Sequence, residues 1–173
     1  MGDVWLALRE RLPAHLIEAE WLAAIAAFYI ENRTRLSRLP GALETIEILA
    51  ERGIPQVCVS NSARSIVEAN LDALGVTEFM RFTISINDVS AGKPDPEPYR
   101  TACERLGLLP SEVLAVEDSL TGAESANRAG LQVAVRVPLT ESVSWAVVDA
   151  ADLTTIVDLF PNTHRSADPQ SRS

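Results

Sequence analysis

Apolar positions in the first forty residues, among them Leu6, Leu12, Leu16, Trp21, Leu22, Ile25 and Phe28, trace an imperfect helical stripe that Pro13 interrupts. From Leu39-Pro40-Gly41 the pattern changes. Short β-branched runs then alternate with helical stretches, the sequence form of βα units and a parallel sheet. A boundary is expected there, between helical residues 1–38 and an α/β core of residues 39–160.

Within the core, residues 42–52 predict a helix that Gly53 ends, followed by a strand from Gln56 to Val59. Ser60-Asn61-Ser62 offers cap chemistry for a helix through Leu74, closed by Gly75, and Arg81 to Ile86 predicts a second strand. Pro96 suits the opening of a helix over Glu97 to Leu106, and Gly107 its end. Val113 to Val116 predicts a strand leading into Glu117-Asp118, and Thr121 to Ala129 a helix stopped by Gly130. Gln132 to Val137 and the short Asp152 to Val157 complete the expected strands. The tail, residues 161–173, is polar and aperiodic and is expected to be disordered.

Length and composition narrow the function classes. At 173 residues and 47% hydrophobic content, the chain can bury one sizeable core. A net charge of −9 argues against sequence-independent binding to nucleic acid or anionic lipid, because both need clustered cations. Cys58 and Cys103 sit in apolar patterns and are expected to be reduced core thiols. The longest apolar stretch, Trp21 to Ile30, is about half of a bilayer crossing. These features predict a cytoplasmic protein, and they carry no signal of oligomeric state.

Candidate chemistry collects at strand ends. In open parallel sheets, ligands bind beyond the carboxyl ends of the strands, where turns and helix N-termini converge. Ser60, Lys93, Glu117 and Asp118 all fall at such positions. Each has an ordinary structural explanation by itself: a helix cap, a solvated lysine, surface acids. Together they form a phosphate and cation site, with hydroxyl, amide and ammonium donors for phosphate oxygens and two carboxylates for magnesium. His15 and His164 have no partner at useful spacing and receive no role.

Three stretches, Val57-Cys58-Val59-Ser60-Asn61, Gly92-Lys93-Pro94-Asp95-Pro96-Glu97-Pro98-Tyr99 and Val116-Glu117-Asp118-Ser119-Leu120-Thr121-Gly122, resemble motifs of the haloacid dehalogenase superfamily, in the family's order. Their spacing is similar to the β-phosphoglucomutase and phosphoglycolate phosphatase branch. The resemblance implies a three-layer, Rossmann-like core and a Mg2+-dependent phosphatase or phosphomutase working on a small phosphorylated metabolite through an aspartyl phosphate. It implies that Ser60 bonds the phosphoryl group, that Lys93 neutralises it, and that Glu117 and Asp118 position the metal. Asn61 and Ser62 join the phosphate binders, Arg64 is a further candidate cation, and Asn87-Asp88 are candidates for lining the crevice.

In that family the nucleophile is the first Asp of an Asp-x-Asp pair on the first core strand, and these residues contain no such pair. The resemblance therefore implies a core without its first strand, with residues 1–38 as the latter part of a helical cap. It also implies that the chain by itself is inactive as an enzyme, with a non-catalytic phosphate and magnesium module or a nonfunctional fragment as the alternatives. The absent strand belongs between the Val57 and Val113 strands, so a gap of roughly 10 Å, two strand spacings, is expected there.

Overall fold

In the computed structural model every strand pairing is parallel, and the strands fall into two separate sheets. The structure describes residues 2–136, 148–149 and 152–161. Strand β1 (Gln56–Val59) pairs with β2 (Met80–Ile84), while β3 (Leu114–Glu117) pairs with β4 (Gln132–Val135), which pairs in turn with the short β5 (Val148–Asp149). Helices α1 (Gly2–Leu8) and α2 (Glu18–Glu31) precede them, α3 (Ala42–Glu51) leads into β1, and α4 (Arg64–Leu74) joins β1 to β2. Helix α5 (Glu97–Leu106) runs from β2 to β3, and α6 (Leu120–Ala129) from β3 to β4.

Side chains alternate across the sheets and bury two faces. Ala115, Val133 and Val135 pack with Tyr99 and Cys103 of α5 and with Ala123 and Ala126 of α6. Ala134 turns the other way, onto Leu49 of α3 and onto Leu153 and Ile156. Val59 joins the α5 and α6 side, and Cys58 the side formed by Val67 and Leu71 of α4. Strands covered by helices on both faces read as continuous apolar runs, as Val133-Ala134-Val135 does with no exposed surface.

Among the described residues β1 pairs only with β2, and β3 only with β4, so one edge of each lacks a strand partner. A cavity of about 940 Å³ lies between them, lined by Gln56 to Val59 on one side and Val113 to Glu117 on the other.

Most elements lie where the sequence places them, and the departures have local causes. Helix α4 starts at Arg64, and its N-cap, Ala63, makes no side-chain bond; Ser60, Asn61 and Ser62 form a turn instead. Strand β2 ends at Ile84, because Ser85 and Asp88 close a capping box around the 3-10 turn Ile86–Asp88. The final strand expected over Asp152 to Val157 is instead a 3-10 helix, Leu153–Leu159, nucleated by the Asp152 side chain accepting from Thr154 N. Val137, His164 and the tail from residue 162 lie outside the described residues.

The N-terminal helices make their own apolar contact, with Trp5 and Trp21 rings 5.6 Å apart. Helix α2 lies against α4, where Arg38 Nε donates to Leu74 O at 2.8 Å. No helix among the described residues is long and apolar enough to cross a membrane.

Ile84 has no exposed surface, whereas Leu109 is 65% exposed. Ile84→Ala should therefore cost about 2–5 kcal/mol in urea unfolding. Leu109→Ala should stay within about 0.5 kcal/mol.

Candidate functional site

The turn after β1 extends the strand ladder and then breaks it. Ser60 N donates to Ile84 O at 2.8 Å, Ser62 N donates to Ser60 Oγ at 3.1 Å, and Ser62 O accepts from Ile86 N at 3.2 Å. The first turn of α4 is capped from another segment, through Arg64 N donating to Asn87 Oδ1 at 2.9 Å. Asn61 reaches across to the loop before α5: its Oδ1 accepts from Lys93 N at 2.8 Å and its Nδ2 donates to Lys93 O at 2.9 Å.

Lys93 is directed inward. Its Nζ donates to Val59 O at 2.9 Å and to Glu117 Oε1, and it lies 5.1 Å from the centre of the Tyr99 ring. Glu117 is only 6% exposed and takes a second bond on the same oxygen from the Tyr99 hydroxyl. Burial, followed by the charge and hydrogen bond of Glu117, pushes the Tyr99 phenol well above its ordinary range. A Cβ at Gly122 would overlap the Glu117 carboxylate, so the first turn of α6 can pass over it only with glycine there.

Asp118 is exposed and makes no ion pair among the described residues. Beside it Ser119 caps α6, its Oγ accepting from Gly122 N at 3.1 Å. Ser60, Asn61, Ser62, Lys93, Glu117 and Asp118, the six residues expected from the sequence, all line the cavity between β1 and β3. Tyr99, Ser119 and Thr121 also line it and were not singled out by the sequence. Tyr99 sits in the apolar stripe of α5 with Ala102 and Cys103; a buried phenol needs a hydroxyl partner, and that was the available signal.

Arg64, Asn87 and Asp88 do not line the cavity. They bind one another behind the turn, with Arg64 Nη2 2.6 Å from Asp88 Oδ1 and Arg105 Nη2 3.5 Å from the same oxygen. Hydrogen bonds from the Ser85 hydroxyl and backbone N–H, then Arg64, hold the Asp88 carboxyl well below the usual carboxylate range. His15 is exposed and takes no part in the site.

A family model described as "Hydrolase: haloacid dehalogenase-like hydrolase" matches residues 3–130. The chain is 38% identical over 113 residues to the validoxylamine A 7'-phosphate phosphatase of Streptomyces hygroscopicus subsp. limoneus, covering 65% of this chain and 53% of that protein. It is 33% identical over 139 residues to a phosphoglycolate phosphatase of Haemophilus influenzae (strain 86-028NP), covering 75% and 62%. The chain thus spans about half to three fifths of these relatives. Among solved structures, CbbY from Rhodobacter sphaeroides in complex with phosphate superposes with a TM-score of 0.71 at 27% identity, over 80% of this chain and 64% of that one.

Two stability outcomes follow from this geometry. Tyr99→Phe removes one of two donors to a buried carboxylate and should cost about 1.5–3 kcal/mol in urea unfolding. Gly122→Ala should also destabilise, although a helical Gly→Ala with free space gains about 0.4–1 kcal/mol. Asp88 predicts a pH effect, because its folded pKa is depressed. Its contribution to stability is complete above the unfolded carboxyl pKa of about 4 and is lost as pH falls below that value. Thermal melts of Asp88→Asn should lose stability at pH 7, with the difference from the parent narrowing below about pH 4.

Proposed function

The chain belongs to the haloacid dehalogenase-like hydrolases, and on that premise we propose that its cavity is the phosphate- and magnesium-holding part of a phosphatase site for a small phosphorylated metabolite. The carrying observation is convergence: Ser60, Lys93 and Asp118, from three separate segments, line one cavity at the carboxyl ends of parallel strands. Both curated relatives described above are phosphatases of small phosphorylated compounds by name.

In this proposal the Ser60 hydroxyl bonds a phosphate oxygen, with Asn61 and Ser62 completing the turn, while Lys93 supplies the local positive charge. Residues 1–38 form the cap side. The donors suit magnesium. Asp118 presents a carboxylate to solvent, Ser60 and Ser119 present hydroxyls nearby, and Glu117 adds a second carboxylate that is shared with Lys93. Among the described residues no three His, Cys, Asp or Glu side chains cluster, and magnesium takes water and phosphate oxygens readily alongside carboxylates. Burial pushes the Cys58 thiol up, which keeps it protonated and unsuited to a softer metal. When bound, magnesium would neutralise charge on the phosphoryl oxygens.

Because these residues contain no Asp-x-Asp pair, holding phosphate and cleaving its ester are tested separately. Calorimetry with inorganic phosphate and Mg2+ should show binding that Asp118→Asn weakens about ten- to hundredfold. Magnesium-dependent hydrolysis of p-nitrophenyl phosphate by the same preparation then separates an enzyme from a binding module. Phosphate binding that is absent, or indifferent to both magnesium and Asp118→Asn, would sink the proposal.

A further inference from the structure

We infer that Asn61 is a positioning residue for Lys93, acting through the lysine's own backbone rather than by touching a bound phosphate. The inference rests on the function proposed above and revises the place of Asn61 among the phosphate binders.

The two ends of the Asn61 carboxamide are both committed to one residue. Its oxygen takes Lys93 N at 2.8 Å, and its nitrogen gives to Lys93 O at 2.9 Å. Side chain and backbone thus form a closed pair between segments 32 residues apart. The approach needs Gly92: a Cβ there would fall 2.8 Å from Asn61 Oδ1 and 2.7 Å from Ile86 Cδ1.

The pair matters because of what Lys93 does at its other end. The ammonium bonds Val59 O, two residues before Asn61, and Glu117 on β3. A lysine stem has four rotatable carbons, so fixing Nζ alone leaves its root free to move, and fixing the root alone leaves the charge free. Asn61 and Val59, both on the turn that ends β1, hold the two ends of the same side chain. Phosphate that enters this cavity then meets a charge already in place, and the entropy of ordering it is spent in folding.

Lys93 is the only lysine among the 173 residues, so its chemistry can be read without interference from other lysines. The test measures trinitrobenzenesulfonate modification of the full chain, with the Lys93 peptide quantified by mass spectrometry. Asn61 is exposed, so its variants should still fold, with melting lowered only by a few degrees. Asn61→Ala should speed modification roughly five- to tenfold, the scale of one or two neutral hydrogen bonds. Asn61→Asp, which keeps the acceptor for Lys93 N, should fall between Asn61→Ala and the parent. Gly92→Ala should reproduce the acceleration.

A second arm uses the affinity for inorganic phosphate with Mg2+. Asn61→Ala should weaken it in the parent and add nothing in a Lys93→Met background. Additive losses would make Asn61 a direct ligand and overturn the inference, as would an unchanged modification rate in Asn61→Ala. A parent that binds no phosphate would defeat the proposed function alone, since the modification rate decides the positioning role without it.

Discussion

The Lys93 ammonium ties the two half-sheets together. In the Val59–Ser60 peptide the N–H points to β2, where it bonds Ile84 O; a trans peptide directs its carbonyl the opposite way, toward the cavity. Lys93 Nζ takes that carbonyl and reaches Glu117, whose own carbonyl accepts from Arg136 N just beyond β4. One side chain from a loop therefore spans from the open edge of β1 to the end of β3. Burying such a pair costs desolvation that its attraction only partly repays, so its value lies in placement more than in net stability. Removing either partner would leave the other charge uncompensated. Tyr99 and Gly122 belong to the same constraint, one giving the carboxylate its second donor and the other giving it room.

That bridge sits at one end of a space bounded by strand edges. Between β1 and β3 the walls carry backbone groups whose partners are not strands among the described residues, and such groups are satisfied by water or by something extended. The helical faces on either side are well packed, as the fully buried Ala123, Ala126 and Val133 show. Polar character is thus confined to the edges and to the carboxyl ends of the strands. The Val59 carbonyl, Ser60 and the start of α6 meet at that end of the cavity.

The legible parts of the molecule are those fixed by local chemistry. Alternation and β-branching located β1 within Gln56–Val59, and left-handed glycines at Gly75 and Gly107 ended α4 and α5 as expected, with φ of 66° and 70°. The six candidate residues were legible as strand-end polar positions, and one cavity gathers them. What escaped depends on contacts distant in sequence. The α4 cap comes from Asn87, 23 residues away, so Ser60-Asn61-Ser62 was free to serve another purpose. Asp152 was hidden in an apolar run and caps a 3-10 helix where a strand was expected. Arg64 and Asp88 satisfy each other outside the cavity, a pairing no periodicity encodes.

Charge supports the proposal that a cation accompanies phosphate in this cavity. Around the cavity stand one ammonium, Lys93, and three carboxylates, Glu112, Glu117 and Asp118, the last two beside the lysine, in a chain whose net charge is already −9. The local formal balance is negative before any ligand arrives, and a phosphate monoester brings up to two further negative charges. Turn amides and the N-terminus of α6 contribute only partial charges, about half a unit for the helix. Lys93 meets phosphate with its single charge, which cannot by itself offset both carboxylates and a dianion. Under the proposed function, a divalent ion held at Asp118 would reverse that local sign. In the proposed reading the adjacent acids would differ in their work: Glu117, buried, is shared between Lys93 and the cation, and Asp118, exposed, would be the freer ligand of the two.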